Sequence, residues 1–560
     1  MNTKSIQNKK SLFPPIAIIF LIFYLFFFFL DGYVLHADSH SYLYMDLSRE
    51  PVYPLFLAAL RALCGESYFL TAASLLQNLF NAACCVFFAV TMIKEFSLDE
   101  KEDRLYPLLL ALILMSPSLL TRFVAKRGST FSCSIMTESL TIPLWLAIFA
   151  LLYQILRSRS RKTTLLAALL ITLAISTRKQ MLSLLVLFFL VLVYAYVLPA
   201  TAGKRKAQEY FSKGILARIA FCIALPAACF LLMNTGEKVC NRIVHGVTSG
   251  HTDSNNTLFT ILLYASSPTD GELLTDSSIN FLIPFLDIDE QVLFYAGGKE
   301  TFSEGYKRLE EMGITQQDLL TNSLWPKWFQ SDLSDLYGEL LAQVDENELT
   351  SHYAQDGEHF SDSYDEIAIQ ISQPLIEEWL QAHHIEGTEK KALAADQVRA
   401  KLLSQLFPKK IRDILPIYLH SFLHGLQLTV SAQGRLFAFY SLAVYGLFLF
   451  LLLLSYARYP ESPASLFASL VLLGILGNVG LTSLVIFTQT RYMIYNMALF
   501  YTALLMLFRE GIAKGPSGLS EKEAENLLEN LYPDPHYRVE AYKEELVNQH
   551  FPDKFDIHII

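Results

Sequence analysis

Apolar runs, most of them 15 to 22 residues long, recur from Leu12 to Leu507 with short polar connections between them. A hydrocarbon core about 30 Å thick takes about 20 apolar residues in helical form. The pattern therefore predicts ten membrane spans, at about 12–30, 67–93, 105–125, 139–156, 163–177, 181–198, 215–233, 435–457, 463–486 and 492–508. The fifth, confined between Lys162 and Arg178, holds about 15 residues and is predicted to reach only about 22 Å. Arg178 and Lys179 then stay at membrane depth unless they face a cavity. Two further apolar segments, Pro51 to Gly65 and Ile411 to Val430, are interrupted by Arg61 or by Arg412, His420 and His424. Both suit helices lying on the outer membrane surface.

An even number of spans puts both termini on one side. The connections on that side carry Lys94, Lys101 and Arg104, then Arg157, Arg159, Arg161 and Lys162, then Lys204, Arg205, Lys206 and Lys213, so the basic bias assigns it to the cytoplasm. The first run exceeds the apolar part of a signal peptide and is followed by further spans, so it is expected to be an anchor. Four parts follow. Residues 1–233 form an N-terminal transmembrane catalytic module of about seven spans, with its first external loop at 31–66. Residues 234–410 form an extracytoplasmic soluble domain, 411–510 an interfacial helix with about three spans, and 511–560 a cytoplasmic tail. The soluble stretch holds 29 of the 54 acidic residues and 12 of the 44 basic ones. Helical periodicity in Asp332 to Gln343 and Ile367 to Ala382 makes it a mostly helical domain, and Ser520 to Leu531 predicts a capped helix in the tail.

Composition narrows the class: 52% of residues are hydrophobic and 18% charged, against roughly a quarter charged in soluble domains. That excludes a soluble multidomain protein and supports an all-α polytopic membrane protein; with no obvious eukaryotic accessory domain, a bacterial plasma membrane is the expected location. The seven cysteines lie mostly in apolar runs and show no CxxC spacing, so neither a disulfide framework nor a thiolate metal site is expected. No nucleic-acid partner is expected either, whereas membrane lipids are.

Candidate chemistry concentrates at the outer mouth. The first loop carries Asp31, His36, Asp38, His40, Tyr42, Asp46, Arg49, Glu50 and Tyr53. Acids held partly desolvated at a bilayer boundary are expected to have raised pKa values suited to a general base, although a solvated capping loop would also explain them. Glu138, in Met136-Thr137-Glu138-Ser139-Leu140, is either a second working acid or a cap favoured by the helix dipole. Arg122, Lys126 and Arg127 precede it, and Arg178, Lys179 and the run Gln489-Thr490-Arg491-Tyr492 complete an external polar set. Positive charge outside runs against the topological bias. A lipid phosphate, which Arg binds bidentately and Lys meets as a point charge, would account for it, as would snorkelling to ordinary head groups. His36, Asp38 and His40 alternate in a way that would suit a divalent cation with Glu138 as a fourth ligand, but two histidines in a polar loop need no metal to explain them, and no firm cofactor follows.

Taken in order, Asp38-Ser39 with Tyr42, then Arg49-Glu50-Pro51-Val52-Tyr53-Pro54, Thr137-Glu138-Ser139-Leu140, Thr177-Arg178-Lys179 and Arg491-Tyr492 resemble the GT-C superfamily of membrane glycosyltransferases. The similarity is greatest to bacterial relatives of protein O-mannosyltransferases and of the aminoarabinose transferase that modifies lipid A. The resemblance implies transfer of a sugar from a polyprenyl-phosphate donor to a glycan, lipid or protein acceptor at the outer face. Asp38 would be the general base, Glu138 the second acidic position, and Arg178 and Arg491 would line the carrier phosphate. Tyr42, Arg49, Tyr53, Lys126, Arg127, Lys179, Gln489 and Tyr492 would complete the substrate site. Arg178-Lys179 departs from the Arg-Pro that many relatives carry. A transporter or flippase of a lipid-linked or anionic solute is the rival from another class, and a polysaccharide polymerase or ligase is a variant of the same chemistry. Transporters place charges at mid-membrane, whereas here they gather at the mouth.

Overall fold

The computed structural model describes residues 13–36, 38–98, 105–124, 128–201, 213–252, 258, 278–281, 292–295, 388–431, 435–458, 462–485 and 490–513. The helices are α1 (Phe13–Asp31), the short α2 (Ser39–Leu43), α3 (Val52–Cys64), α4 (Phe69–Glu95), α5 (Leu105–Leu119), α6 (Glu138–Ser158), α7 (Arg161–Thr177), α8 (Ser183–Leu192) and α9 (Lys213–Val244). After them come α10 (Thr388–Val430), α11 (Arg435–Arg458), α12 (Pro463–Val485) and α13 (Thr490–Ala513). Two strands, β1 (Ser278–Phe281) and β2 (Val292–Tyr295), pair antiparallel with Ser278 opposite Tyr295. The helices expected at 332–343, 367–382 and 520–531 fall outside the described residues.

Among the described residues, nine helical segments are long and apolar enough to cross a membrane, counting α5 with the π turn that extends it to Phe123 and α8 with the turns that flank it over Lys179–Val197, and they coincide with nine of the ten expected spans. The tenth is α7, whose 17 residues make about 25 Å of helix, short of a typical hydrocarbon core. It packs back along α6, from the two-residue turn that follows Ser158 to the pairing of Arg178 with Glu138 at the start of α6. Arg159 takes the left-handed conformation that ends α6 (φ 52°), and the Ser160 hydroxyl accepts from the Thr163 N–H to start α7.

At the centre stands α6, apolar on every side as a helix buried on every side must be. Trp145, Phe149 and Tyr153 on it are fully buried, and it packs against α4, α7, α8 and α13. Around this axis, α1 lies on α4, α9 on α7 and α8, and α10 on α12 and α13. The helix expected over Pro51 to Gly65 forms as α3, with Tyr53, Leu57 and Leu60 buried and Leu55 and Leu63 exposed.

Two boundaries differ from expectation. The 43-residue α10 runs unbroken through residue 410, where a soluble domain was expected to give way to a separate surface helix. Lys409, Lys410, Arg412 and Asp413 interrupt the apolar pattern but not the helical backbone, and Lys410 pairs with Asp413 one turn on at 2.8 Å. Likewise α9 continues to Val244, eleven residues past the expected end of the span at 233.

Candidate functional site

The ends of α1, α5, α7 and α9 and the starts of α4, α6, α8 and α13 converge at one end of the bundle. The first loop is pinned there by a parallel bridge between Val34 and Ser134, in which the Val34 N–H donates to the Cys133 carbonyl and the Ile135 N–H to that of Val34, both at 2.9 Å. The Ser39 hydroxyl adds a bond to the Ile135 carbonyl at 2.8 Å. The loop base is closed by an ion pair between Asp31 and Arg122. Arg122 is delivered by a π turn at Leu120–Val124 that follows Pro117.

After α2 the chain reverses through Met45, whose φ of 54° lies in the left-handed region that non-glycine residues seldom occupy. The reversal brings Arg49 back over the helix it has just left. Its guanidinium meets Asp38 at 2.9 Å, donates to the Ser41 hydroxyl at 2.7 Å and lies over the Tyr42 ring. On the other carboxylate oxygen, 2.8 Å away, sits Arg491 from the start of α13. Asp38 thus bridges two guanidiniums from segments more than four hundred residues apart. Burial alone would raise its pKa, but the charges of Arg491 and Arg49 outweigh that and hold it well below the usual carboxylate range. This corrects the expectation of a raised pKa, which took account of desolvation and not of the two cations.

Glu138 opens α6, fully buried, and forms an ion pair with Arg178 at 2.7 Å. Arg178, in an extended linker between α7 and the 3-10 turn Lys179–Leu182, also donates to the Thr137 hydroxyl at 3.0 Å and to Gln180 Oε1 at 3.0 Å. The Tyr492 ring joins the two pairs, with the Arg178 and Arg491 guanidinium carbons 4.9 and 4.8 Å from its centroid. Tyr42 is buried with its hydroxyl 3.5 Å from Thr137 and packs edge-on against Tyr53, and burial pushes its phenol up to about 12. Lys179 lies beside this group, its N–H donated to Glu50 at 2.7 Å and its ammonium paired with Glu237 at 3.2 Å.

The structure therefore gathers Asp38, Tyr42, Arg49, Tyr53, Glu138, Arg178, Lys179, Arg491 and Tyr492, while Lys126, Arg127 and Gln489 lie outside the described residues. His36 and His40, half of the metal alternative, have different partners: His36 Nε2 lies 3.0 Å from the Ser134 hydroxyl, and the His40 ring packs on Tyr44. Asp46 caps a local turn by accepting from the Ser48 N–H at 2.9 Å.

Several supporting residues escaped the sequence reading. Gln180 Nε2 reaches Asn478 Oδ1, Thr482 Oγ1 and the Tyr492 carbonyl, all within 3.1 Å, and so ties α12 and α13 to the Arg178 linker. On α4, Ser74, Gln77, Asn78 and Asn81 share one face at the helical spacing of three and four. They donate respectively to the Gly32 carbonyl, the Tyr53 hydroxyl, the Ser132 carbonyl and the Ser139 carbonyl. This face holds the first loop, α3 and the entry to α6 on one rigid support. Its signal in the sequence was the periodic polar stripe inside an apolar run.

Among the described residues, the guanidiniums of Arg49, Arg178 and Arg491 gather around the carboxylates of Asp38 and Glu138, with Glu50 on the Lys179 N–H beside them. Among the described residues, Arg491 Nε is moreover buried without a hydrogen-bond partner, a cost that an incoming acceptor would remove. An oxyanion matches both features. In comparison with known proteins, the chain matches no family model, no curated protein and no solved structure.

Proposed function

We propose that this chain is a polytopic glycosyltransferase of GT-C type, moving a sugar from a polyprenyl-phosphate carrier to an acceptor hydroxyl at the outer face of the membrane. The observation that supports it most is the bridging of Asp38 between Arg49 and Arg491, with a buried donor on Arg491 left over. A carboxylate whose two oxygens are both engaged is a weak base. A donor phosphate has the oxygens to take over those guanidiniums, and guanidinium pairs readily with phosphate. Its arrival would release Asp38 and raise its basicity only when the donor is in place.

In the transfer itself, the acceptor hydroxyl oxygen attacks the anomeric carbon and the bond from that carbon to the phosphate oxygen breaks. The carrier phosphate leaves with the electron pair, and the hydroxyl proton passes to Asp38. Arg491 and Arg49 meet the charge that grows on the leaving phosphate. Glu138 acts at one remove, by holding Arg178 against the Tyr492 ring.

The test is transfer by purified protein in lipid vesicles given a panel of polyprenyl-phosphate sugars and envelope extract. Release of free polyprenyl phosphate that requires both extract and Asp38 is the expected result. Movement of intact lipid-linked sugar across the bilayer, with no release from any donor, would replace the transferase with a flippase.

A further inference from the structure

Gln180 forms a floor beneath Arg178: its Oε1 accepts from Arg178, and its Nε2 is shared among Asn478, Thr482 and the Tyr492 carbonyl. About one helical turn deeper, polar side chains from four helices meet. Ser183 on α8 lies three residues beyond Gln180 and against Gly477 of α12, where a Cβ on the glycine would stand 3.6 Å from that of the serine. Asn478 is the next residue of α12 and already touches Gln180. Asn496 on α13 is one turn below Tyr492, and the adjacent Tyr495 packs edge-on against Trp145 of α6, with 6.3 Å between centroids. The Thr141 hydroxyl, 2.7 Å from that of Tyr495, sets the level on α6, one turn above Trp145.

Among the described residues, Trp145 Nε1, Ser183 Oγ, Asn478 Nδ2 and both polar side-chain atoms of Asn496 are buried without a hydrogen-bond partner. None of the four residues is more than 9% exposed. All stand in segments long and apolar enough to span a membrane, where lipid gives a polar group no partner. Asn478 cannot turn to relieve itself, since its Oδ1 accepts from Gln180 at 3.0 Å and from Thr482 at 3.1 Å. Orphans scattered through a core are separate costs, whereas orphans at one level of one seam call for a shared ligand.

The chemistry of the set selects that ligand. A hard cation, which takes about six oxygens, would find two among these side chains, Asn496 Oδ1 and Ser183 Oγ. An anion would meet neutral dipoles alone, because Arg178 above is paired with Glu138. Water accepts two hydrogens and donates two, matching the indole and amide N–H donors on one side and the amide oxygen and serine hydroxyl on the other. We propose that the seam where α6, α8, α12 and α13 meet is a binding site for internal water, which extends the hydrogen bonds of Gln180 from the arginine cluster into the bundle. Such a site stands whether or not the chain transfers sugar. Water on Asn478 keeps that amide's oxygen turned to Gln180, whose own oxygen stays on Arg178, so the guanidinium is positioned from below as well as by Glu138.

The test is X-ray radiolytic footprinting of the full chain in lipid nanodiscs, in which hydroxyl radicals made from a bound water mark the side chains beside it. Trp145 is scored against Phe88, as deeply buried in the core, after each rate is divided by the intrinsic reactivity of its residue type. The expected result is Trp145 labelling severalfold above Phe88, falling to the Phe88 level when Asn478→Leu and Asn496→Leu are combined. Trp145 labelled no faster than Phe88 in the wild type overturns the site, and that comparison needs no variant to fold. Labelling that the double variant leaves unchanged overturns it equally. Asn496→Leu alone gives a second reading: a lower thermal midpoint is expected, because the water loses a partner, whereas a higher one would mean that the amide had stood unserved and no water is held there.

Discussion

Asp38 and Glu138 are carboxylates at the same end of the bundle, both paired with arginine, yet their surroundings set them apart. Asp38 stands in a loop, 28% exposed, with its oxygens shared between two guanidiniums that are themselves partly open. Glu138 begins the central helix, 1% exposed, against an Arg178 held additionally by Thr137 and Gln180. A pair open to solvent can exchange partners with a ligand. A pair closed on every side can only hold its geometry. On the proposed reading, the contrast gives exchange to the first acid and architecture to the second, although both stood out equally as charges in the sequence.

Removing the closed acid should have the largest effect. Glu138→Ala strands the Arg178 guanidinium in a buried site, for which the expected loss is about 3–5 kcal/mol of stability, seen as a fall in the thermal midpoint of detergent-solubilised protein. Glu138→Ala combined with Arg178→Ala should recover part of that loss. A midpoint near wild type for the single variant would break the distinction. For the open acid, Asp38→Asn should lower transfer by at least about 10²-fold with the fold intact. Because the amide no longer competes for the arginines, polyprenyl phosphate should bind that variant at least as tightly as wild type. Weaker binding would mean that Asp38 itself touches the donor. Arg491→Ala should raise the donor KM by about tenfold, the lower scale of one charge-assisted hydrogen bond, and an unchanged KM would move the phosphate toward Arg178 and Lys179.

The smallest effect is a matter of pH. The pKa of Asp38 is lowered in the folded state, so its pairs contribute stability in full above the unfolded value near about 3.9. That contribution is lost as pH falls below this value and through the folded one. Thermal midpoints measured from neutral pH downward should show an acid-side decline that is shallower in Asp38→Asn.

Much of this was legible because charge stands out against an apolar background. Asp38, Arg49, Glu138, Arg178 and Arg491 were each visible that way, and hydropathy alone located the nine long spans. Which acid meets which base was not legible, since nothing local relates residue 38 to residue 491. Glu237 was hidden for a different reason: it stands at the edge of an acid-rich stretch where one more carboxylate carries no signal. Gln180 and the α4 amides carry no charge. The continuity of α10 was missed because a break in the apolar pattern is a statement about side chains, while the helix depends on the backbone.

The polar face of α4 also bears on how the chain is assembled in the membrane. A helix delivered to lipid with Ser74, Gln77, Asn78 and Asn81 on one side has few places to satisfy them. Its own carbonyls offer interim acceptors, at Ser74 for Asn78 and at Gln77 for Asn81. The remaining partners, the Ser132 and Ser139 carbonyls, are synthesised some fifty residues later. Until that segment arrives, α4 is disfavoured from facing lipid on its polar side. The same amides that support the site thereby tie the register of α6 to that of α4, since a shift of either would leave Asn78 or Asn81 without its carbonyl.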